Sequence, residues 1–257
     1  MKTIILAGGL GTRLSEETGH VPKPMVEIGG LPILWHIMRH YAHHGFTEFI
    51  IALGYKSWIV KRFLLDVAAM HSSITLSVRS GNVRLHNDSE TFDWTVHLLE
   101  TGLRTLTGDR VRQALPLIGD ETFMLTYGDG VSNVDLRRLV EFHRSHGKLA
   151  TMTVVRPPSH FGRMAFDGDQ VVEFVEKPHR LDDWINGGFF VLEPGVSKYL
   201  DREGMWEVVG LQRLAEDGQL MAYRHESFWY CMDSLRDKRM LEQMWEEGNA
   251  PWRTWDG

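Results

Sequence analysis

The chain has 257 residues, 43% of them hydrophobic, which is enough for one α/β domain with a substantial core. Its formal net charge of −6 excludes a global positive field of the kind that wraps nucleic acid, so any phosphate ligand must be held by local groups. Cys231 is the only cysteine, which excludes an internal disulfide. The apolar stretch Ile4–Ala7 is too short for a signal peptide or a membrane span, and we expect a cytoplasmic protein.

Short apolar runs alternate with segments of helical periodicity, which predicts an α/β fold rather than an all-β one. The first half predicts, in chain order, a strand over Thr3–Ala7, a helix that begins after Pro32 and ends at Gly45, a strand over Phe49–Leu53, a helix over Trp58–Val67, a strand over Phe123–Tyr127, a helix over Leu136–His143 and a strand over Leu149–Val155. The second half predicts strands over Met164–Phe166, Gln170–Val175 and Gly188–Leu192, then helices over Trp206–Glu216 and Asp233–Glu247. No linker or repeat interrupts this order, so we expect one domain with one continuous sheet.

A glycine-rich segment, Leu6–Arg13, follows the first predicted strand directly. Glycines there let backbone N–H groups approach phosphate closely, and Arg13 adds a fixed positive charge. A tight strand-to-helix turn would give a similar pattern. The segment is not a Walker loop, because the closing Gly-Lys-Ser/Thr is absent, and a dinucleotide fingerprint would need a third glycine where Leu14 stands.

Lys23 lies between Pro22 and Pro24, a short distance after the glycine loop. Two prolines stiffen the backbone and so limit where the ammonium can point. A solvated surface lysine is the ordinary alternative, although such lysines are seldom held in this way.

Two aspartates are candidates for a metal site. Asp129, in Gly128-Asp129-Gly130, follows a predicted buried strand, at the sheet edge where α/β proteins bind ligands. Magnesium typically takes one or two protein carboxylates together with substrate phosphates. Asp233 lies where a loop meets a predicted helix, and on the residues alone an ordinary helix N-cap is the preferred interpretation.

Two later segments suit ligand binding but are not specific alone. Glu176-Lys177-Pro178 ends a predicted strand and could equally be an exposed turn. Asn186-Gly187 precedes a predicted strand and could equally be a plain hairpin turn. Two side-chain groups favour structural interpretations: we expect an exposed polar helix face for His36, His40, His43 and His44, and a latch of the chain end for Trp245, Trp252 and Trp255.

Together, Leu6–Arg13, Lys23-Pro24-Met25, Gly128-Asp129-Gly130, Glu176-Lys177-Pro178 and Asn186-Gly187-Gly188 resemble the sugar-1-phosphate nucleotidyltransferases. The motifs occur in the family's order and cover nearly the whole chain. Within the family, the cytidylyltransferase subgroup is the most similar, on three segments that the wider family does not share: Pro24–Gly30, Ile33–Met38 and Ala250–Trp255.

The resemblance implies a mixed, mainly parallel, Rossmann-like sheet flanked by helices, the fold of nucleotide-diphospho-sugar transferases. It implies one domain, 1–257, with a nucleotide-binding half (about 1–130) and a sugar-phosphate-binding half (about 131–257). Its implied substrates are CTP and glucose 1-phosphate, with Mg²⁺ as cofactor, CDP-glucose and pyrophosphate as products, and a homo-oligomer as the assembly.

The resemblance also assigns roles by position, with Arg13 and Lys23 as catalytic residues and Asp129 and Asp233 as magnesium ligands. The implied nucleotide-binding residues are Leu6, Ala7, Gly8, Gly9, Leu10, Gly11, Thr12, Arg13, Lys23, Thr101, Gly102, Thr107, Gly108, Arg110 and Gly128. The implied sugar-phosphate-binding residues are Glu176, Lys177, Asn186 and Gly187. A sugar phosphate is already ionised near neutral pH, so we expect in-line attack on the α-phosphorus without a general base or a covalent intermediate.

The chain departs from the subgroup after Trp206-Glu207. Relatives continue with another acidic residue and a Pro-Leu pair, whereas this chain reads Val208-Val209-Gly210-Leu211. If the missing carboxylate touches sugar in relatives, sugar choice or rate would differ here; if it only supports the helix, little would change.

Three competing interpretations remain at the level of sequence. The same chemistry could use dTTP, UTP or GTP, or another sugar 1-phosphate. A non-catalytic nucleotide-sugar sensor should have lost a metal carboxylate or a phosphate lysine, yet Lys23, Asp129, Lys177 and Asp233 are all present. A dinucleotide-dependent oxidoreductase fits worst, because its glycine fingerprint is incomplete.

Overall fold

The computed structural model describes residues 1–9, 11, 14–70, 73–86, 92–157, 163–175, 184–201 and 204–255. Within these ranges strands and helices alternate. The strands are β1 (Thr3–Leu6), β2 (Glu27–Ile28), β3 (Leu31–Pro32), β4 (Glu48–Leu53), β5 (Ser73–Ser77), β6 (Asn82–His86), β7 (Thr95–Glu100), β8 (Phe123–Tyr127), β9 (Gly130–Ser132), β10 (Ala150–Val155), β11 (Arg163–Asp167), β12 (Gln170–Val175), β13 (Ile185–Leu192), β14 (Leu220–His225) and β15 (Trp229–Cys231).

The α-helices vary from one to four turns. They are α1 (Ser15–Thr18), α2 (Ile33–His43), α3 (Ser57–Met70), α4 (Thr107–Ile118), α5 (Leu136–His146), α6 (Leu211–Glu216) and α7 (Leu235–Glu246). Two 3₁₀ segments, Lys23–Met25 and Pro194–Tyr199, and a π-helical turn, Trp206–Gly210, complete the helical structure of the described ranges.

The central sheet has seven strands in the order β14-β10-β13-β8-β1-β4-β7. Pairing is parallel between β1 and both its neighbours, between β4 and β7, and between β10 and β14, whereas β13 runs antiparallel to both β8 and β10. The strands at its centre are buried on both faces and therefore read as continuous apolar runs rather than alternating ones. The mixed, mainly parallel sheet confirms the predicted fold class.

Helices pack on both faces of this sheet. The side chains of β1 point alternately to the two faces and show which helices cover each one. Ile5 points toward the core under α2, α5 and α7, while its neighbour Ile4 points toward the core under α4 and α6. Both isoleucines are fully buried. Because each face of the sheet is covered, the polar groups of the site must lie at an edge of the sheet.

The strand order reverses direction at β1, since the chain adds β4 on one side of β1 and later adds β8 on the other. In open α/β sheets ligands bind outside the carboxyl ends of the strands at such a switch point. The antiparallel β13 begins at the edge where β8 ends, so the first residues of β13 reach the same place.

Several predicted elements differ in detail from the observed ones. The last predicted strand of the sheet begins at Ile185 instead of Gly188, so Asn186 and Gly187 lie inside β13 and not in a hairpin turn. The helix predicted from Asp233 begins at Leu235, and Ser234 is its N-cap, so the N-cap interpretation of Asp233 is wrong. Sequence patterning also missed β5, β6, β7 and α4, which lie in a region of mixed polarity.

The predicted exposed histidine face is confirmed for His43, which is exposed, but it is wrong for His36 and His40, which are buried at 0% and 3% exposure. The chain end covers them: Trp252 donates its indole N–H to His36 Nδ1 at 3.3 Å and stacks on Phe228. Trp252 itself is 1% exposed, which confirms the predicted latch. The helix face looked solvent-exposed in sequence only because its covering residues lie more than 200 positions away.

Candidate active site

The glycine loop follows β1 and is held from beneath by Arg110. This guanidinium donates to the carbonyls of Gly8 at 3.0 Å and Leu53 at 2.9 Å, and to the Thr101 hydroxyl. A β-carbon at Gly8 would lie 2.1 Å from Arg110 Nη1, so glycine is required there. The predicted loop residues Leu10, Thr12 and Arg13 lie outside the described residues.

Lys23 points its ammonium between the two predicted metal carboxylates. Its Nζ lies 2.7 Å from Asp129 Oδ2 and 2.5 Å from Asp233 Oδ1. The lysine begins a short 3₁₀ segment that follows Pro22, and its side chain is only 12% exposed. Burial by itself would lower the pKa of Lys23, but attraction to Asp129 and hydrogen bonds to both aspartates outweigh it and raise the pKa above its usual range.

Asp129 and Asp233 are brought together by a small antiparallel pairing outside the main sheet. β9 follows Asp129 directly and pairs with β15, so that Gly130 lies opposite Cys231. The Met232 N–H then donates to the Asp129 carbonyl at 2.9 Å. This pairing fixes the distance between the two carboxylates, although they are far apart in sequence.

The segment that carries Asp233 is held by Asp237, in the first turn of α7. One Asp237 oxygen accepts from the Asp233 N–H at 3.0 Å, and from the N–H and hydroxyl of Ser234, both at 2.8 Å. The Tyr230 hydroxyl donates to the other oxygen at 3.1 Å. This capping box starts the helix and orients the candidate metal ligand at once.

The donor set at this point suits a divalent cation. Ligand atoms of Asp129, Cys231 and Asp233 all lie within 4.8 Å of one another. The Lys23 ammonium between the carboxylates shows that the position accommodates a positive charge. Two carboxylate oxygens with room for phosphate and water are the ligands that Mg²⁺ prefers. Burial raises the pKa of the Cys231 thiol, and Asp129 raises it further, so this thiol is protonated at neutral pH.

Two adjoining cavities meet at Lys23 and Asp129. The first, of about 420 Å³, extends from the glycine loop toward α4. The second, of about 740 Å³, extends toward β13 and β15. Residues that line both are Gly9, Gly11, Lys23, Tyr127, Asp129 and Met205. One arrangement therefore offers two ligand compartments on either side of a charged centre.

Most of the predicted nucleotide residues that the structure describes line the first cavity, including Thr107, Arg110 and Gly128. Thr101, Gly102 and Gly108 do not. Thr101 is buried and donates to the Leu53 carbonyl at 2.6 Å, and Gly108 packs against the backbone of Gly204. Thr101 and Gly108 therefore shape the wall behind the cavity rather than its surface, whereas Gly102 is exposed.

The predicted sugar-phosphate residues divide between described and undescribed parts of the chain. Asn186 and Gly187 line the second cavity. Glu176 and Lys177 lie outside the described residues. The side-chain oxygen Oδ1 of Asn186 accepts from the Gly188 N–H at 2.9 Å. This bond orients the side chain so that its amide nitrogen donates to the Tyr127 hydroxyl at 3.1 Å.

Sequence reasoning missed several lining residues. Tyr127 precedes Gly128-Asp129 at the end of β8, and that position could have identified it. Glu207 and Trp229 carry no sequence signal, because a π-helical turn and the short strand β15 place them at the second cavity. The first cavity also includes the loop that begins at Leu103 and leads into α4.

The segment that departs from the subgroup pattern lies beside this site. Glu207 lines the second cavity, but neither Val208 nor Val209 lines either of the two cavities. A β-carbon at Gly210 would lie 2.4 Å from the Trp206 ring, so glycine here permits the close packing of the π-helical turn. The departure therefore alters the support of the turn, not the described lining.

Comparison with known proteins agrees with this arrangement. A glucose-1-phosphate cytidylyltransferase from Salmonella typhi is 46% identical over 258 residues, which covers 100% of both chains. A probable glucose-1-phosphate cytidylyltransferase from Bacillus subtilis is 45% identical over 99% of this chain and 100% of its own.

A solved structure, HddC from Yersinia pseudotuberculosis, superposes with a TM-score of 0.68 at 23% identity, over 95% of this chain and 99% of that one. This likeness shows the shared fold. No helix among the described residues is both long enough and apolar enough to cross a membrane. Residues 2–232 match the nucleotidyl transferase family, and the chain therefore belongs to that family.

Proposed function

We propose that the protein transfers a cytidylyl group from CTP to α-D-glucose 1-phosphate, forming CDP-glucose and pyrophosphate. The observation that carries this proposal is the pair of cavities that meet at Lys23 and Asp129. Full-length identity of 45–46% to glucose-1-phosphate cytidylyltransferases supports the choice of base and sugar. The N-terminal half, about 1–130, would bind the nucleotide, and the rest, about 131–257, the sugar phosphate.

The chemical obstacle is charge, because two anions must meet in line. A phosphate oxygen of the sugar attacks the α-phosphorus of CTP, and the bond from that phosphorus to pyrophosphate breaks. Lys23 enters both cavities, so its ammonium can offset the negative charge that builds at the junction. Backbone N–H groups of Gly8 and Gly9 approach the triphosphate, while Asn186 and Gly187 hold the sugar side.

The remaining assignments follow the family resemblance. Asp129 and Asp233 would hold Mg²⁺, which when bound neutralises phosphate charge and aligns the triphosphate. Arg13 and Lys177 would add positive charge to the triphosphate and the sugar phosphate. We further propose a homo-oligomer that works in the cytoplasm.

The test is pyrophosphate release from purified protein with glucose 1-phosphate and Mg²⁺, run separately with CTP, UTP, dTTP, GTP and ATP. Strong preference for CTP is the expected result. Turnover with another triphosphate would keep the chemistry and overturn the base assignment. Absence of turnover with every triphosphate and with other sugar 1-phosphates would favour the nucleotide-sugar sensor.

A further inference from the structure

Two hydrogen-bonded groups of side chains lie at the wall between the two cavities. In one, the Thr107 hydroxyl donates to Glu207 Oε2 at 2.7 Å and accepts from the Trp206 N–H at 2.9 Å. In the other, the Asn186 amide donates to the Tyr127 hydroxyl at 3.1 Å. Thr107 lines the first cavity, Glu207 and Asn186 line the second, and Tyr127 lines both.

The Thr107 hydroxyl has a defined direction. It accepts from the Trp206 N–H, which orients its own proton toward the Glu207 carboxylate. Thr107 therefore holds one oxygen of Glu207 in place.

An ionised carboxylate has about four acceptor positions, so the bond from Thr107 leaves Glu207 with unused acceptor capacity at the second cavity. The other carboxylates in the described lining, Asp129 and Asp233, are both engaged by Lys23. Glu207 is thus the carboxylate of this lining that Lys23 does not engage. Phosphate oxygens would be repelled by it, whereas hydroxyl groups can donate to it.

We propose that Glu207 selects the sugar, its carboxylate accepting hydrogen bonds from one or two hydroxyl groups of the hexose 1-phosphate. The inference rests on the proposed function and adds a residue that sets sugar specificity. Thr107 is a positioning residue, because it acts through Glu207. Since a buried acceptor left unpaired is costly, the site should reject analogues that lack the hydroxyl it binds.

The experiment compares glucose 1-phosphate with its 2-, 3-, 4- and 6-deoxy analogues at saturating CTP and Mg²⁺, and varies CTP separately at saturating glucose 1-phosphate, for the wild type and Glu207→Gln. The amide keeps the shape of the side chain, but it accepts hydrogen bonds more weakly and carries no charge. We expect kcat/KM for glucose 1-phosphate to fall about 10- to 100-fold, with the KM for CTP changed less than about two-fold. One deoxy analogue should lose little further on substitution, because its missing hydroxyl has already removed the same interaction.

A matched control is Val208→Gln, at the exposed neighbouring position that lines neither cavity, and it should leave every analogue ratio unchanged. If Glu207→Gln does not fold, Thr107→Val carries the test through the analogue ratios, since it removes the hydroxyl that donates to Glu207 Oε2. Equal losses for all analogues, or a rise in the KM for CTP as large as that for sugar, would overturn the inference. A wild type that does not turn over CTP with glucose 1-phosphate would instead refute the proposed function.

Discussion

Lys23 makes ion pairs with two carboxylates while only 12% of its side chain is exposed. Surface ion pairs contribute little to stability because water screens them, but this ammonium faces the junction of the two cavities. We expect Lys23→Met to lower kcat/KM at least about 100-fold, since preorganised charge would be lost where negative charge develops. The measurement is steady-state pyrophosphate release, with Lys61→Met, at a surface pair with Glu100, as the control. A loss below about three-fold would contradict the role of Lys23.

Asp129 follows β8 and faces the same junction. We expect Asp129→Asn to lose most turnover and to bind Mg²⁺ more weakly, because an amide oxygen is a neutral ligand and a carboxylate is a charged one. Turnover and the Mg²⁺ concentration at half-maximal rate would be measured, with circular dichroism to check the fold. Asp120→Asn, at an exposed position after α4, is the control. Near-normal turnover of the folded variant with Mg²⁺ would show that the metal assignment is wrong.

The start of α7 shows how one element serves both folding and the site. Asp237 is 6% exposed and accepts from two backbone N–H groups, including that of Asp233. Asp237→Asn should lower the free energy of unfolding by about 1–2 kcal/mol, the usual effect of losing a capping interaction. It should also raise the Mg²⁺ concentration at half-maximal rate, because Asp233 would lose its fixed orientation. Denaturant unfolding and Mg²⁺ titration of activity measure the two effects. Glu246→Gln, in the last turn of α7, is the control. A loss of stability with an unchanged Mg²⁺ dependence of activity would limit Asp237 to a structural role.

The latch formed by the chain end is a second element with a measurable contribution. Trp252 is 1% exposed, stacks on Phe228 and donates to His36. We expect Trp252→Ala to lower the free energy of unfolding by about 3–5 kcal/mol, as for other buried tryptophans. Denaturant unfolding measures this loss, and Trp58→Ala, at a 61% exposed position, should change stability by less than about 0.5 kcal/mol. Similar effects of the two substitutions would mean that the latch does not stabilise the fold.

The sequence predicted the elements whose signals are local, and it failed where distant segments meet. Buried strands such as Phe123–Tyr127 are continuous apolar runs, so their position and order could be predicted. The antiparallel direction of β13 could not, because its apolar residues would suit either direction. Asp129 could be placed at the candidate site from its position after a strand, whereas placing Asp233 there needed a family resemblance, since the pairing of β9 with β15 has no local signal. Glu207 was missed for the same reason.

Buried histidines couple the stability of the whole molecule to pH. Burial lowers the pKa of His40 to about 3, with a smaller contribution from His44, and burial also lowers the pKa of His36. The unfolded chain binds protons at these side chains below about pH 6.5, while the native protein does not. Stability is therefore fully present above pH 6.5 and is lost progressively as the pH falls toward 3.

For His40 alone, we expect the free energy of unfolding to be about 2 kcal/mol lower at pH 5 than at pH 8. The measurement is denaturant unfolding at pH 8, 6.5 and 5 for the wild type and for His40→Gln, which cannot take up a proton in this range. His40→Gln should be less stable than the wild type at pH 8 and should lose less stability between pH 8 and pH 5. His86→Gln, at an exposed position in β6, should keep the wild-type pH dependence. An unchanged pH dependence in His40→Gln would mean that acid destabilises the protein through other groups, such as the imidazoles of His36 and His143, whose native pKa values are also lowered.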